Sequence, residues 1–184
     1  MEEKSTKNWS FYTCCFIVYC FIGWVYEVIW EFAIGHGFVN RGFLYGPYLP
    51  IYGFGVLTIL FILHKLIDKK IKIGKINITP LLVFLAILFI VSVIEYFASF
   101  VMELIFHKRW WDYSYDILNL NGRISLRNSS LLAIGGFALL YFVQPILNKL
   151  FGKLSNKTLK IASIIIILVT SVDFVITILG YIIK

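Results

Sequence analysis

The run Ile161–Ile183, IASIIIILVTSVDFVITILGYII, holds one charged residue, Asp173, among side chains that are otherwise apolar, small or hydroxylated. A helix needs roughly 20 largely apolar residues to cross the hydrocarbon of a bilayer. The run therefore reads as a transmembrane span over about 160–183. Working outward, four more runs meet the same requirement, at about 11–34, 48–67, 80–106 and 128–148. The chain as a whole is 60% hydrophobic with a mean hydropathy of +0.85, where a soluble domain would be about 45–50% apolar. The expected fold is all-α: a polytopic transmembrane helix bundle of about five spans, forming a single integral membrane domain over residues 1–184. The opening MEEKSTKNWS mixes both signs of charge. The apolar run after it outlasts a signal-peptide core, so no cleavable leader is expected.

The net charge of +7 could suggest a nucleic-acid partner, but no basic stripe or aromatic platform accompanies it. No nucleic acid is expected. Positive residues near span ends orient a membrane protein instead. Lys4, Lys7, Lys65, Lys69, Lys70, Lys72, Lys75, Lys149, Lys153, Lys157 and Lys160 fall on one side of five spans. Arg41, Lys108, Arg109, Arg123, Arg127 and Lys184 fall on the other. The richer side should be cytoplasmic, which places the N-terminus inside. All four arginines then lie outside. Orientation needs charge alone, whereas the planar guanidinium fork suits bidentate pairing with carboxylate or phosphate.

The acids cluster on that outer side. Glu27 and Glu31 lie four apart near the end of the first span, and Glu95, Ser99 and Glu103 step by four along the third. Residues at that spacing share a helix face. A charged side chain at the bilayer centre costs at least about 2.5 kcal/mol on insertion scales, so these acids need partners inside the protein. Asp173 in the fifth span and Asp112 and Asp116 in the third loop complete the set. The candidate site is an outward-facing polar chamber built from Glu27, Glu31, Asn40, Arg41, Glu95, Glu103, Asp112, Asn119, Arg123, Arg127 and Asp173. The plainer alternative is that the ion pairs only hold loops onto the bundle, and that Asp173 is a satisfied helix–helix contact.

Two loops frame this chamber. The first, GHGFVNRGFLYGPYLPIYGFG over 35–55, offers glycines for tight backbone paths, and Pro47 or Pro50 suits the first turn of the next helix. The second, KRWWDYSYDILNLNGRISL over 108–126, carries Trp110 and Trp111 where an interfacial aromatic belt belongs. Asp112 there can pair with an arginine or cap a turn, while Asn119 and Asn121 can bond the loop's own backbone. Each loop follows a helix with two glutamates and contains an Asn/Gly/Arg cluster, Asn40-Arg41-Gly42 and Asn121-Gly122-Arg123. That echo points to a repeated hairpin.

Cys14, Cys15 and Cys20 read as packing residues without a disulfide. His36, His64 and His107 lack any paired-ligand spacing, so neither a metal nor a cofactor is expected. Walker A, G-x-G-x-x-G and G-x-S-x-G patterns are absent from the sequence. The chain carries no ATPase or nucleophile motif, and no catalytic residue is assigned.

Four motifs in order, GWVYE at 23–27, NRGFLYGPYLPIYGFG at 40–55, EYFASFVMELIF at 95–106 and WWDYSYDILNLNGRISL at 110–126, have a family counterpart. With Pro145, the sequence over roughly 9–147 resembles the "Putative ABC-transporter type IV" family, the CmpB-like membrane proteins of bacteria. Glu27, Asn40, Arg41, Gly42, Gly46, Pro47, Glu95, Glu103, Trp111, Asp112, Tyr113, Asn119, Gly122 and Arg123 match its pattern. The resemblance implies a multi-pass permease-like transport protein of the bacterial inner (plasma) membrane. Its partners would be membrane lipids, a separate ATPase subunit and, since five spans are few for a transport path, a second copy of the chain. Two other readings of the same charges stay open. One is a membrane-embedded enzyme acting on lipid or isoprenoid substrates, with Glu27 or Glu95 as general acid or base and Arg41 or Arg123 holding a phosphate. The other is a structural or regulatory membrane subunit.

Overall fold

The computed structural model describes residues 8–183; Lys4, Lys7 and Lys184, which enter the charge argument, lie outside the described residues. The element order is α1 (Trp9–Ala33), α2 (Pro50–Ile67), β1 (Lys72–Ile73), β2 (Ile76–Asn77), α3 (Thr79–Phe106), β3 (Asn119–Leu120), β4 (Ile124–Ser125), α4 (Leu126–Ala138), α5 (Gln144–Phe151) and α6 (Asn156–Ile182). A π-helical turn, Leu139–Val143, joins α4 to α5, and the three pieces form one apolar stretch, Leu126–Phe151. Five helices are thus long and apolar enough to cross a membrane. The architecture is all-α, with two short antiparallel hairpins in the connections. The chain is a multi-pass membrane protein.

Local chemistry explains the helix limits. Asn8 accepts the Phe11 N–H at 3.1 Å to start α1, Ser125 accepts Asn128 N–H at 3.2 Å to start α4, and Ser155 accepts Thr158 N–H at 3.1 Å to start α6. Each satisfies a donor that the first turn leaves orphaned. The π turn follows from Pro145, which cannot donate to the Tyr141 carbonyl four residues back and would crowd it. The chain widens by a residue there instead of breaking.

The described residues fall into two compact units: one up to Phe54 together with the chain from Val143 on, the other Gly55–Phe142. In the first, α1 packs against α5 and α6. Cys20, Leu44 and Tyr48 form a buried cluster backed by Phe16, Ile17 and Phe43. Cys14, Cys15 and Cys20 are all buried free thiols on α1, and Cys20 belongs to this cluster. The Tyr19 hydroxyl donates to the Gln144 carboxamide, which donates in turn to Asn148 at 2.8 Å. A side chain at Gly53 would strike Cys20 and Phe16, so its absence lets the first turn of α2 lie against α1.

In the second unit α3 packs along α4. Ile59, Leu63, Val83, Ile87, Ala133 and Leu140 form its core. Gly136 lets the helices close: a Cβ there would sit 3.1 Å from Ile87 and 3.3 Å from Ile59. The outward surfaces of both units remain apolar, as with Phe89, Phe97, Leu168 and Phe174. Such surfaces suit hydrocarbon as the solvent.

Candidate functional site

In the first unit, the last turns of α1 place Glu27 and Glu31 on one face. The loop 34–49 folds back over them. Arg41 Nε lies 3.6 Å from Glu27 Oε2 and 3.5 Å from Glu31 Oε1. Tyr52, the third residue of α2, donates its hydroxyl to Glu27 Oε1 at 2.6 Å. His36 Nδ1 meets Glu31 Oε2 at 2.7 Å. Asn40 fixes the loop's path: it accepts Trp24 Nε1–H at 2.7 Å and donates to the Tyr45 carbonyl at 3.0 Å. Gly42 has φ +109° and lies against Leu49, so the turn beside Arg41 requires glycine.

Asp173 reaches the same loop from α6. Its carboxylate accepts the N–H groups of Tyr45 (3.1 Å) and Gly46 (2.9 Å) and the hydroxyls of Tyr48 (2.5 Å) and Thr177 (3.3 Å). Four donors repay the cost of a carboxylate in a span. Burial, then the hydrogen bond and charge of Asp173, raise the Tyr48 phenol above its ordinary range. Asp173 joins a helix to a loop, which is more than the helix–helix contact weighed from sequence.

In the second unit, α3 aligns Glu95, Ser99 and Glu103. The loop after α3 folds over this row. Asn121 and Gly122, with φ of 54° and 67°, turn the β3–β4 hairpin, and Arg123 N–H closes the turn on Leu120 O at 3.0 Å. Asn and Gly are the residues that tolerate such left-handed backbone in succession. Arg123 emerges from this turn and is only 8% exposed. It donates to Ser99 Oγ at 3.1 Å and pairs with Glu103. Its guanidinium lies 5.8 Å from the Tyr96 ring and 5.4 Å from the Phe100 ring. Arg109 takes the other Glu103 oxygen at 3.1 Å and donates to the Asn121 carbonyl at 3.2 Å.

Glu95, 5% exposed, accepts the Tyr113 hydroxyl at 3.2 Å and the Asn128 amide at 2.7 Å on one oxygen. Asn128 is the third residue of α4, as Tyr52 is of α2. Each unit thus repeats one arrangement. A loop arginine lands on the acidic face of the preceding helix, and the first turn of the following helix donates to that helix's first glutamate.

The remaining predicted residues build the loop. Asn119 donates to the carbonyls of Ser114 (3.3 Å) and Asp116 (2.8 Å) and accepts Gly122 N–H at 3.0 Å. Asn121 instead reaches out to the Tyr96 hydroxyl at 3.0 Å. Asp112 accepts the hydroxyl and N–H of Ser114 at 2.5 and 2.9 Å. Those bonds, with the Arg109 charge, hold its carboxyl below the usual carboxylate range. Arg127 stands 4.0 Å from Asp116 with its side chain 71% exposed, at the rim of the loop. Tyr113 entered the sequence reading only as a match to the family's pattern, and Tyr52 and Asn128 were not placed in the candidate site, since nothing local marks a tyrosine or asparagine as a glutamate's partner.

Among the described residues, no three His, Cys, Asp or Glu side chains are grouped to hold a metal ion. What the clusters offer is carboxylates able to take a proton or cation, and guanidinium groups able to take a carboxylate or phosphate. Neither among curated proteins nor among solved structures does anything match the chain. Residues 14–178 match the model of the family described as "Putative ABC-transporter type IV", and the chain belongs to that family.

Proposed function

We propose that this member of the "Putative ABC-transporter type IV" family is a permease-like membrane transport protein. In this reading the chain acts as a single integral membrane domain in the bacterial inner membrane, with the N-terminus cytoplasmic and the loops 34–49 and 107–125 on the outer side. The residues of the expected polar chamber then act as two clusters, each taken by itself, one around Arg41 and one around Glu95. One observation carries the reading: Arg41 lies 3.5–3.6 Å from two span carboxylates while its side chain stays 36% exposed. Those contacts are loose for a guanidinium–carboxylate pair, so an incoming anionic group can compete for the arginine and release Glu27 and Glu31 to a proton or cation. Ionisable groups inside spans mark substrate and proton paths.

Energy would come from a separate ATPase subunit, and a second copy of the chain would complete the path. The test is gentle purification from the native host into nanodiscs, with mass spectrometry of everything retained. A stoichiometric ATPase supports the permease reading. A tightly held phospholipid or isoprenoid without an ATPase, lost in Arg41→Ala, favours a lipid-handling enzyme. Neither partner nor ligand leaves a structural or regulatory subunit.

A further inference from the structure

The connection between α2 and α3 is a β-hairpin with two chemically distinct faces. Lys72 pairs with Asn77 and Ile73 with Ile76, and Ile78 N–H donates to Ile71 O at 2.9 Å one step further on. Gly74 takes φ +60° at the first position of the two-residue loop, as the type II′ turn requires. Strand alternation then puts Ile71, Ile73, Ile76 and Ile78 on one face, and Lys72 with Asn77 on the other. The isoleucines in the central pair stand in the open, at 68% and 70% exposure.

The hairpin is held at its base. Thr79, buried at the start of α3, accepts Ile71 N–H and donates to Lys69 O, both at 2.9 Å, and its own N–H donates to Asn77 at 3.1 Å. The apolar face is therefore presented at a fixed place, where two spanning helices leave the hydrocarbon. Lys65, Lys69, Lys70, Lys72 and Lys75 surround it, all exposed, against a single acid, Asp68.

Full insertion into hydrocarbon is excluded, because a two-stranded ribbon leaves edge N–H and C=O groups that lipid tails cannot satisfy. Exposure to water would strand the paired isoleucines. The boundary between acyl chains and headgroups satisfies both, and lysines there snorkel to phosphate. Charge selects the lipid: basic residues beside spans attract anionic leaflets.

We propose that the β1–β2 hairpin is an interfacial anchor, with its isoleucine face at the acyl boundary and its lysines on anionic phospholipid headgroups. The inference stands apart from the transport reading. The test uses the full chain in nanodiscs of phosphatidylglycerol or of phosphatidylcholine alone, spin-labelled at Ile76→Cys or Asn77→Cys. The native thiols are buried and the labels report depth. With phosphatidylglycerol, the Ile76→Cys label should be relaxed more by oxygen than by an aqueous nickel chelate, and the Asn77→Cys label the reverse. Ile73→Cys repeats the first result if Ile76→Cys disturbs folding. Retention of phosphatidylglycerol should fall about fivefold for each of Lys70→Gln, Lys72→Gln and Lys75→Gln, corresponding to about 1 kcal/mol per lysine. Equal access of the chelate to both faces would overturn the proposal. So would an Ile76→Cys label shielded from both reagents in detergent without lipid, the sign of a protein partner, or lipid retention unchanged in all three lysine variants.

Discussion

The two polar clusters share a plan and differ in how tightly it is executed. Around Glu27 and Glu31, two acids share Arg41, whose nearest contacts are 3.5 and 3.6 Å. Around Glu103 the ratio inverts: two arginines converge on one acid. Arg123 is buried, hydrogen-bonded to Ser99 and set over two aromatic rings. A guanidinium with that many desolvated partners cannot leave them without loss, so it acts as a fastener. One that is loosely shared and partly open can exchange partners. The same residue types thus serve as a closure in one unit and as a candidate contact point in the other.

Arg123→Ala should break the comparison most visibly. It removes an ion pair, a hydrogen bond and two cation–π contacts, and should cost at least about 2 kcal/mol, read as a lower thermal midpoint in detergent micelles. Arg123→Lys should recover only part, since an ammonium lacks the planar fork. Wild-type stability in Arg123→Ala would remove the fastener argument. Asp173→Ala comes next: it leaves two loop N–H groups and a tyrosine hydroxyl without their acceptor, for about 2 kcal/mol. Proteolysis within residues 34–49 should rise with it.

Smaller effects sharpen the parallel. Tyr52→Phe deletes one hydroxyl bond to Glu27 and should cost about 1 kcal/mol by the same assay. Arg41→Ala should change stability by no more than about 1 kcal/mol, in keeping with partly exposed ion pairs, while abolishing retention of any anionic ligand. A loss as large as that of Arg123→Ala would make the two clusters equivalent. The least effect is a pH slope from Asp112. Its carboxyl is held below the usual range, so its stabilisation is present above that range and is lost as pH falls through the lowered value. Asp112→Asn should flatten that acid limb in a melting series.

The spans were readable because crossing a bilayer imposes a length and an apolar composition on contiguous residues. Predicted and observed limits differ by a few residues at caps such as Asn8, Ser125 and Ser155, where a single hydrogen bond decides the start. The π turn inside the fourth span needed the local crowding at Pro145, which hydropathy does not report. That the loop arginines suit pairing with carboxylates was legible from guanidinium chemistry, and the Asn40-Arg41-Gly42 and Asn121-Gly122-Arg123 echo pointed to a repeated hairpin, but neither said which helix each arginine would meet. Arg127 was grouped with the other arginines by charge alone; it stands 4.0 Å from Asp116, a pairing that its position on α4 sets and its sign alone does not.

Sequence alone determined the all-α membrane class, the five spans and the acidic faces, since each depends on periodicity or composition within one segment. Tertiary structure decided which partner each acid meets. Tyr52 reaches Glu27 across 25 residues and Asn128 reaches Glu95 across 33. Such contacts depend on how a turn at Gly42 or Asn121-Gly122 aims the chain, and a change of one residue in the loop would send a different side chain to the carboxylate.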